Sequence, residues 1–334
     1  MCEDAMAGLR RPWPCKEACM MEMKVADGMP LYIADAEVER ILRAGDLAPV
    51  LTRAFLSWRD GQVNMQPRFR TDQDGFRLVS MGAVMPALGY AGVKVYSHVA
   101  GRLCFRIMLF CTRTGAMLAT VEANALTKFR TAACSVLSAR RYADPQADTL
   151  GLFGLGPVGY EHALQLSRAF PLRRILLCDP RAGETLRVAL ERDTGVRVAL
   201  ADADAVARQS NIIVTATRSL VPVFDGALLR PGTFVAAVGS CLKHAREVDA
   251  VTVARAGVVV LEWPEQTLQD TGDLLLFDDQ AALRAKVESL ADMLAAGLAS
   301  AYEPERIVMY NAVGVALEDI AAASMIYETA LEAA

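Results

Sequence analysis

Residues 149–159 read TLGLFGLGPVG, an apolar run that ends in a series of glycines. A strand that leads through this G-x-G-x-x-G series into a helix brings backbone N–H groups against a pyrophosphate. A second apolar run, RILLC at residues 174–178, stops at Asp179, whose carboxylate can accept both hydroxyls of an adenosine ribose. The order of these elements is the one that dinucleotide binding requires: a strand, the glycine loop, a helix, a second strand and then Asp179. The sequence therefore predicts a dinucleotide-binding unit around these residues.

The acid also predicts which cofactor is bound. A carboxylate at Asp179 repels the 2′-phosphate of NADP, although Arg181, two residues later, offsets part of that repulsion. We therefore expect NAD, with NADP as the less favoured cofactor.

The composition is that of an ordinary soluble protein, with 53% hydrophobic and 22% charged residues in 334 and a formal net charge of −4. This length favours two domains over one core. No long basic run is present, so neither nucleic acid nor a membrane surface is an expected partner. No apolar stretch reaches the roughly 18–20 uncharged residues of a membrane span. Charged residues at positions 10, 11, 16 and 17 interrupt any signal-peptide core, so the expected location is the cytoplasm.

Cysteine and histidine usage does not suggest a metal centre. The eight cysteines are spaced neither as zinc knuckles nor as a small disulfide framework. The three histidines, His98, His162 and His244, are scattered along the chain. No metal site is therefore expected, and His162 is interpreted as structural.

The hydrophobic pattern predicts two domains of different type. Residues 30–143 show helices at 34–42, 47–58 and 125–142 around strand-like runs at 76–81, 90–96, 104–110 and 117–122, which is typical of an antiparallel sheet. After residue 148 strands and helices alternate, as in a doubly wound parallel sheet. The strands predicted there are 149–153, 174–178, 196–200, 211–215, 233–238 and 257–261, and long helices are predicted at 280–298 and 313–330.

These patterns predict an α/β fold class: a doubly wound parallel (Rossmann) nucleotide domain joined to an α+β substrate and dimerisation domain. The expected divisions are a flexible extension at 1–28, a substrate domain formed by 29–143 with 313–334, and a nucleotide domain at 144–312. The short strands of the substrate domain leave sheet edges that invite pairing with another chain. We therefore expect a homodimer joined through that domain.

Several further blocks recur in a fixed order along the chain. They are GVKV at 92–95, LTKFRTAA at 126–133, NIIVTAT at 211–217, GTFVAAVGS at 232–240, REVD at 246–249 and VGVALED at 313–319. Taken together, this set resembles the ornithine cyclodeaminase/μ-crystallin family over roughly residues 30–330. The resemblance implies hydride transfer between a nicotinamide and the α-carbon of a small amino or imino acid.

The resemblance also implies which residues form the site. Three cations, Arg68, Lys94 and Arg130, are expected to bind the substrate carboxylate, with Arg70 as a competitor for the place of Arg68. Lys94 is in addition a candidate proton donor. The expected cofactor site consists of Arg130, Thr131, Gly154, Gly156, Pro157, Val158, Gly159, Asp179, Arg181, Thr215, Ala216, Thr217, Val238, Gly239, Val313 and Gly314.

The sequence departs from the family pattern at informative positions. True ornithine cyclodeaminases have an aspartate where this chain has Cys241, which makes Cys241 a second catalytic candidate and favours the reductase-like branch. Asn311 and Ala312 replace a more usual Lys-Ser pair near the nicotinamide. Arg102 stands where cyclodeaminases have a small hydroxyl residue, and it is interpreted either as a fourth cation for a second acidic group or as a surface residue.

Three functions agree with these residues. The first is an NAD-dependent reductase of a small imino (ketimine) acid, which also oxidises the amino acid in reverse. The second is an ornithine cyclodeaminase, a lyase in which NAD is recycled within each turnover. The third is a non-enzymatic nucleotide-binding protein like μ-crystallin, which the three retained cations argue against.

Overall fold

The computed structural model of the chain describes residues 29–333, so the extension predicted for residues 1–28 lies outside the described residues. The first part of the chain forms helices around one sheet. Its elements are β1 (Leu31–Ile33), α1 (Asp35–Ala44), α2 (Ala48–Arg59), β2 (Asn64–Met65), β3 (Phe69–Gln73), β4 (Phe76–Met85), β5 (Tyr90–Val99), β6 (Arg102–Cys111), β7 (Met117–Glu122) and α3 (Asn124–Tyr142).

The first sheet has seven strands in the order β1-β7-β6-β5-β4-β2, with β3 also paired to β4. Its pairs are antiparallel except β1 and β7, which are parallel. The sheet predicted from the sequence is therefore present, with three short strands added and one parallel pair. These additions are brief segments whose pairing depends on distant partners rather than on a local alternation of residues.

Alternation along β5 decides which side chains face the protein interior. Successive side chains of a strand point to opposite faces, so Lys94, Tyr96 and His98 lie on one face of the sheet. The register places Met81 opposite Lys94 and Arg77 opposite His98, so both residues of β4 share that face. This inner face lines the candidate site described below.

The second part of the chain alternates strands and helices. Its elements are β8 (Thr149–Phe153), α4 (Pro157–Ala169), β9 (Arg174–Cys178), α5 (Glu184–Thr194), β10 (Arg197–Leu200), α6 (Ala203–Gln209), β11 (Ile212–Thr215), β12 (Phe234–Ala237), α7 (Ala250–Arg255), β13 (Ala256–Leu261), α8 (Pro264–Asp270), α9 (Gly272–Leu275), α10 (Gln280–Arg284), β14 (Val287–Ser289), α11 (Leu290–Ala295), β15 (Ile307–Asn311) and α12 (Ala316–Glu332).

The second sheet contains eight parallel strands in the order β10-β9-β8-β11-β12-β15-β13-β14. The strand order reverses between β8 and β11, and in such sheets the crevice at the carboxyl ends of the strands beside this reversal is where ligands bind. The fold class predicted from the sequence, a doubly wound parallel domain with an α+β domain, is confirmed.

The last helix returns to the first part of the chain. α12 packs across β4, β5 and β6 of the first sheet and against α2 and α3. Gly92 of β5 makes this close packing possible, because a Cβ at that position would lie 2.7 Å from Cδ1 of Ile320. The return of the C-terminal helix to the first sheet brings its acidic residues to the candidate site.

Two features of the second part differ from the sequence prediction. The single helix predicted for residues 280–298 is wrong, because β14 interrupts it where Val287 pairs with Val259 of β13. The side chain of Ser289 then accepts a hydrogen bond from the backbone N–H of Asp292 and starts α11. The buried strand β15 was not predicted, and it lies between β12 and β13. No helix among residues 29–333 is long and apolar enough to cross a membrane.

Candidate active site

The glycine loop leaves room for a phosphate group. Gly154 has φ +89°, and a Cβ there would lie 2.8 Å from the carbonyl oxygen of Ala216. A Cβ at Gly159 would collide with the carbonyl of Gly154, so the helix packs closely against the loop. At Gly156, the residue before Pro157 of α4, a Cβ would meet nothing within 4 Å. The loop is therefore tight where it packs on protein and open where backbone N–H groups would face a pyrophosphate.

Asp179 lies at the carboxyl end of β9, beside this loop. It accepts hydrogen bonds from the backbone N–H of Leu155 (2.7 Å) and of Arg181 (2.8 Å). Burial raises the pKa of its carboxyl, but these hydrogen bonds and the Arg181 guanidinium outweigh burial and hold the pKa below its usual range. The Arg181 side chain is 79% exposed and its Nε lies 3.6 Å from the carboxylate. Asp179 is thus an anchored, ionised acceptor next to the glycine loop.

A cavity of about 230 Å³ lies between the inner face of the first sheet and the carboxyl ends of the parallel strands. The charged residues that line it are Arg68, Lys94 and Arg130, and the lining contains no acidic residue. Of the other residues predicted for the site, the cavity is lined by Thr131, Val158, Val238, Gly239, Cys241, Val313 and Gly314. Residues separated by more than 200 positions are brought together here, and the result is a small pocket suited to an anion.

Lys94 is almost fully buried on β5. Its Nζ lies 2.8 Å from both Asp319 Oδ1 and Thr127 Oγ1, and 4.7 Å from the centre of the Phe105 ring. Burial lowers the pKa of Lys94 to about 8, with Asp319 opposing that fall and Arg130 adding to it. Near neutral pH the Lys94 amine is protonated and can give up that proton. An exposed lysine has a higher pKa and loses its proton less readily.

Arg130 of α3 is held by two consecutive acids of α12. Its Nη1 donates to Glu318 (2.7 Å) and its Nε to Asp319 (3.2 Å). These acids raise the pKa of Arg130 against the effect of burial. The pKa of Glu318 is raised well above its ordinary value by burial and by Glu262. Gly314 allows the guanidinium to lie close, because a Cβ there would be 2.7 Å from Nη2 of Arg130.

Arg68 reaches the cavity from the segment between β2 and β3. Its Nη2 donates to the carbonyl oxygens of Val313 and Gly314, the latter at 2.9 Å, and its Nη1 lies 3.4 Å from Asp270. Its buried Nε has no hydrogen-bond partner among residues 29–333. Arg70, the competing candidate, pairs with Asp270 (3.1 Å) and lines a neighbouring cavity instead. The structure therefore places Arg68 with the other two cations.

The two threonines predicted at the nicotinamide side face a buried acid. Thr215 Oγ1 and Thr217 Oγ1 donate to Glu247, at 3.0 and 2.6 Å. Glu247 also accepts from the backbone N–H of Thr217 (2.6 Å) and Gly239 (2.7 Å). Neither threonine lines the cavity. Glu247 instead ties the loop after β11 to the loop after β12, and burial raises its pKa to about 7.

The remaining candidates are placed as follows. Cys241 lines both the cavity of the three cations and the neighbouring one, and its carbonyl accepts from Arg70 at 3.1 Å. His162 is buried between Ser135 (2.9 Å) and the carbonyl of Val158 (2.7 Å), and burial lowers its pKa to about 4. Arg102 is exposed at the start of β6 and lines neither cavity.

Sequence reasoning gave no role to the acids behind the cavity. Glu318, Asp319 and Glu247 all lie in recognised blocks but were not assigned a contact. A signal was present: Glu318 and Asp319 are adjacent acids in an alanine-rich helix that carries no lysine or arginine. A buried carboxylate needs a partner, and that partner had to come from elsewhere in the chain.

Comparisons with known proteins identify the family and the fold. The sequence model of the Ornithine cyclodeaminase/mu-crystallin family matches residues 29–334. The solved structure of a probable ornithine cyclodeaminase from Bordetella pertussis Tohama I is 45% identical, with a TM-score of 0.88, covering 91% of this chain and 98% of that one. The ketimine reductase mu-crystallin of Rattus norvegicus is 26% identical over 302 residues, 90% of each protein.

A third protein shares the fold at lower identity. It is Delta(1)-pyrroline-2-carboxylate reductase of Thermococcus litoralis, solved in complex with NADH and L-proline. Its identity to the chain is 23% and its TM-score 0.84, over 91% of this chain and 98% of that one.

Proposed function

The chain belongs to the ornithine cyclodeaminase/mu-crystallin family, and from this premise we propose that it is an NAD(H)-dependent oxidoreductase. The reaction is reduction of a small imino (ketimine) acid to the amino acid, together with the reverse oxidation. The reductases among its relatives support this choice of reaction class.

One observation carries the proposal: three cations line a small cavity that no acid enters. A substrate with a carboxylate next to a C=N bond needs fixed positive charge at one end and a proton at the nitrogen. Arg130, locked by two acids, and Arg68, with an unpartnered Nε, supply the fixed charge. Lys94 supplies the proton, because its pKa of about 8 suits transfer near neutral pH.

The residues around the cofactor fit NAD(H). The open space at Gly156 accepts a pyrophosphate, and the anchored carboxylate of Asp179 accepts ribose hydroxyls and repels a 2′-phosphate. When bound, the nicotinamide supplies or takes up the hydride at the α-carbon of the substrate. Arg68 and Arg130 orient the carboxylate, and Lys94 donates a proton to the imine nitrogen as the C=N bond becomes a C–N bond.

Ornithine cyclodeamination is the second candidate, favoured by the 45% identity to the probable ornithine cyclodeaminase from Bordetella pertussis. Cyclisation requires a group that orients and deprotonates the second amine of ornithine, a task that suits a carboxylate. This chain has Cys241 at the position where ornithine cyclodeaminases have that carboxylate. The nearby carboxylate of Asp270 is already paired with Arg68 and Arg70. The reductase therefore remains the better proposal.

The deciding experiment follows absorbance of NADH. The purified protein is given NADH with 1-pyrroline-2-carboxylate, 1-piperideine-2-carboxylate and acyclic imino acids formed from 2-oxo acids and ammonium. A reductase consumes NADH in stoichiometric amounts. In a parallel incubation with ornithine and catalytic NAD, proline and ammonia are measured. Substantial proline formation without net change in NADH would replace the reductase proposal with the cyclodeaminase, and no reaction in either assay would favour a binding protein.

We also propose that a second copy of the chain binds to the first sheet. The face of the sheet opposite α12 exposes Val84 (49%), Phe76 and Leu78 (45% each). A groove of about 480 Å³ on that face is lined by Val84, Val93 and Phe110 among others. Burying such apolar surface in a symmetric pair stabilises a dimer. Light scattering at micromolar concentration tests this, and a mass of one chain would contradict it.

A further inference from the structure

A second cavity, of about 220 Å³, adjoins the cavity of the three cations. The two share Tyr96, Leu103, Gly239 and Cys241 in their walls, so they lie side by side, and the two together are called the cleft. The second cavity lies further along β5, from Tyr96 to His98, and reaches the loops after β11 and β12. The proposed reaction occupies the first cavity and gives no role to the second.

The charged residues around the second cavity all carry the same sign. Arg70, Arg77 and Arg218 line it, His98 lies among them, and the lining contains no acidic residue. The register of the sheet explains part of this cluster, because Arg77 of β4 is the direct neighbour of His98 of β5 on the inner face. The remaining walls are largely apolar, with Val79 and Leu242 among them.

The three arginines differ in how many ion pairs and hydrogen bonds they make within the protein. Arg70 forms an ion pair with Asp270 and donates a hydrogen bond to the carbonyl of Cys241. Arg77 donates only its Nε to Asp72 (2.5 Å), an acid that is 54% exposed, so its two terminal nitrogens make no hydrogen bond to a described residue. Arg218 makes one long contact to the carbonyl of Gly101 (3.4 Å) and no ion pair within residues 29–333. Two guanidinium groups therefore retain donors for an added anion.

We propose that this second cavity is a specificity subsite for a distal acidic group, so that the substrate is an amino or imino acid with a second carboxylate on its side chain. This proposal rests on the proposed function, because it extends the substrate along the same cleft from the carboxylate that Arg68 and Arg130 orient. A guanidinium with free terminal nitrogens binds a carboxylate through paired N–H donors. A one-signed cleft also concentrates anions.

The length of the cleft indicates the length of the substrate. A strand rises about 3.4 Å per residue, so Lys94 and His98 are separated by about 14 Å along β5. Arg77 of β4 lies opposite His98, at the far end of this span. Acids with several methylene groups between the α-carbon and the distal carboxylate therefore fit better than the shortest member of the series. Tyr96 and Leu103 supply apolar contact to those methylene groups.

The test compares acids with neutral analogues of the same shape. The oxidation of glutamate and of 2-aminoadipate with NAD is measured against that of glutamine and norleucine. The expected result is a kcat/KM for the acids at least about tenfold higher than for the neutral amino acids. The double variant Arg77→Gln with Arg218→Gln should remove this preference, because it lowers the kcat/KM of the acids far more than that of the neutral amino acids. Arg102→Gln, an exposed change outside both cavities, is the matched control.

A binding measurement separates failure of this proposal from failure of the proposed function. 2-Oxoglutarate and 2-oxohexanoate are titrated calorimetrically onto the protein saturated with NADH. Tighter binding of the dicarboxylate, lost in the double variant, supports the subsite even if no turnover is found. Equal binding of both, or a loss in the variant that is the same for acid and neutral ligands, overturns it. Turnover of neutral amino acids with exclusion of the acids would leave the reductase proposal intact and refute the subsite.

Discussion

The ammonium of Lys94 lies 2.8 Å from the carboxylate of Asp319, and both groups are almost completely buried. The pair joins the first sheet to the last helix of the chain. Burial lowers the pKa of Lys94 to about 8, while Asp319 keeps that pKa from falling further. The lysine therefore remains charged near neutral pH because of one carboxylate 225 positions away in the sequence.

The first prediction concerns this pair and pH. If protonated Lys94 donates the proton, imine reduction declines as pH rises through about 8. Asp319→Asn removes the charge that raises the pKa of Lys94, so the alkaline limb of kcat/KM should move to lower pH by about one unit or more. Glu39→Gln, which removes the exposed partner of Lys128, is the control and should leave the profile unchanged. An Asp319→Asn profile that coincides with the wild-type profile would exclude Lys94 as the titrating group.

The second prediction compares two glycines that both have a positive φ. Gly314 and Gly297 both have positive φ, +79° and +87°, but only Gly314 lies against Arg130. Each change to alanine should cost about 1–2 kcal/mol of stability from the left-handed backbone. Only Gly314→Ala should also raise the KM of the imino acid, because its Cβ displaces the guanidinium. Thermal unfolding and steady-state kinetics check the two effects, and equal KM values would contradict the placement of Arg130 at the substrate.

The third prediction concerns the loops that Glu247 holds together. Four donors, one at the end of β11 and three in the loops after β11 and β12, meet its two oxygens, and a glutamine cannot accept all of them. Glu247→Gln should raise the Kd of NADH by about tenfold through the lost hydrogen bonds. Glu184→Gln, whose side chain is 71% exposed in the same part of the chain, serves as the matched control. Fluorescence titration with NADH is the measurement, and an unchanged Kd would contradict the positioning role.

The pKa of Glu247 adds a pH dependence to the same residue. Its pKa is raised by burial from 4.5 to about 7, so the fold binds its proton more tightly than the unfolded chain does. The resulting stability is fully present below pH 4.5 and is lost as pH rises through about 7. Glu247→Gln should remove this part of the dependence of Tm on pH between 5 and 8.

The fourth prediction concerns cofactor choice at Asp179. The wild-type protein should bind NADH more tightly than NADPH, because an ionised carboxylate stands where a 2′-phosphate would lie. Asp179→Ser removes that charge and should reduce the preference by at least about tenfold, with Arg181 then available to the phosphate. Titration of both cofactors gives the ratio, and equal or tighter binding of NADPH by the wild-type protein would refute the prediction.

The glycine loop and Asp179 could be predicted because their pattern is local. A strand, a glycine series and an acid within 31 residues carry the whole signal. The three cations were predicted through the resemblance, and the structure brings them to one cavity. Their acidic partners could not be assigned, because Asp319 and Arg130 are 189 positions apart and no local pattern links them.

Elements that depend on distant pairing were also missed. An alanine- and leucine-rich segment at 280–298 has the composition of a helix, yet Val287 pairs with Val259 and a strand results. The second cavity could not be predicted from the sequence for the same reason. Arg77 and His98 are neighbours only through the pairing of β4 with β5. Arg218 lies in the loop after β11, a strand of the second sheet.

The position of α12 at the end of the chain has a consequence for synthesis on the ribosome. Lys94 and Arg130 emerge with the first sheet, whereas their counter-ions emerge only after the parallel sheet has been made. A nascent chain that buried the two cations before α12 was made would bear uncompensated charge, so we expect their burial to follow the packing of α12 on the first sheet. A chain that stops before α12 therefore lacks the carboxylates that hold Lys94 and Arg130 in place.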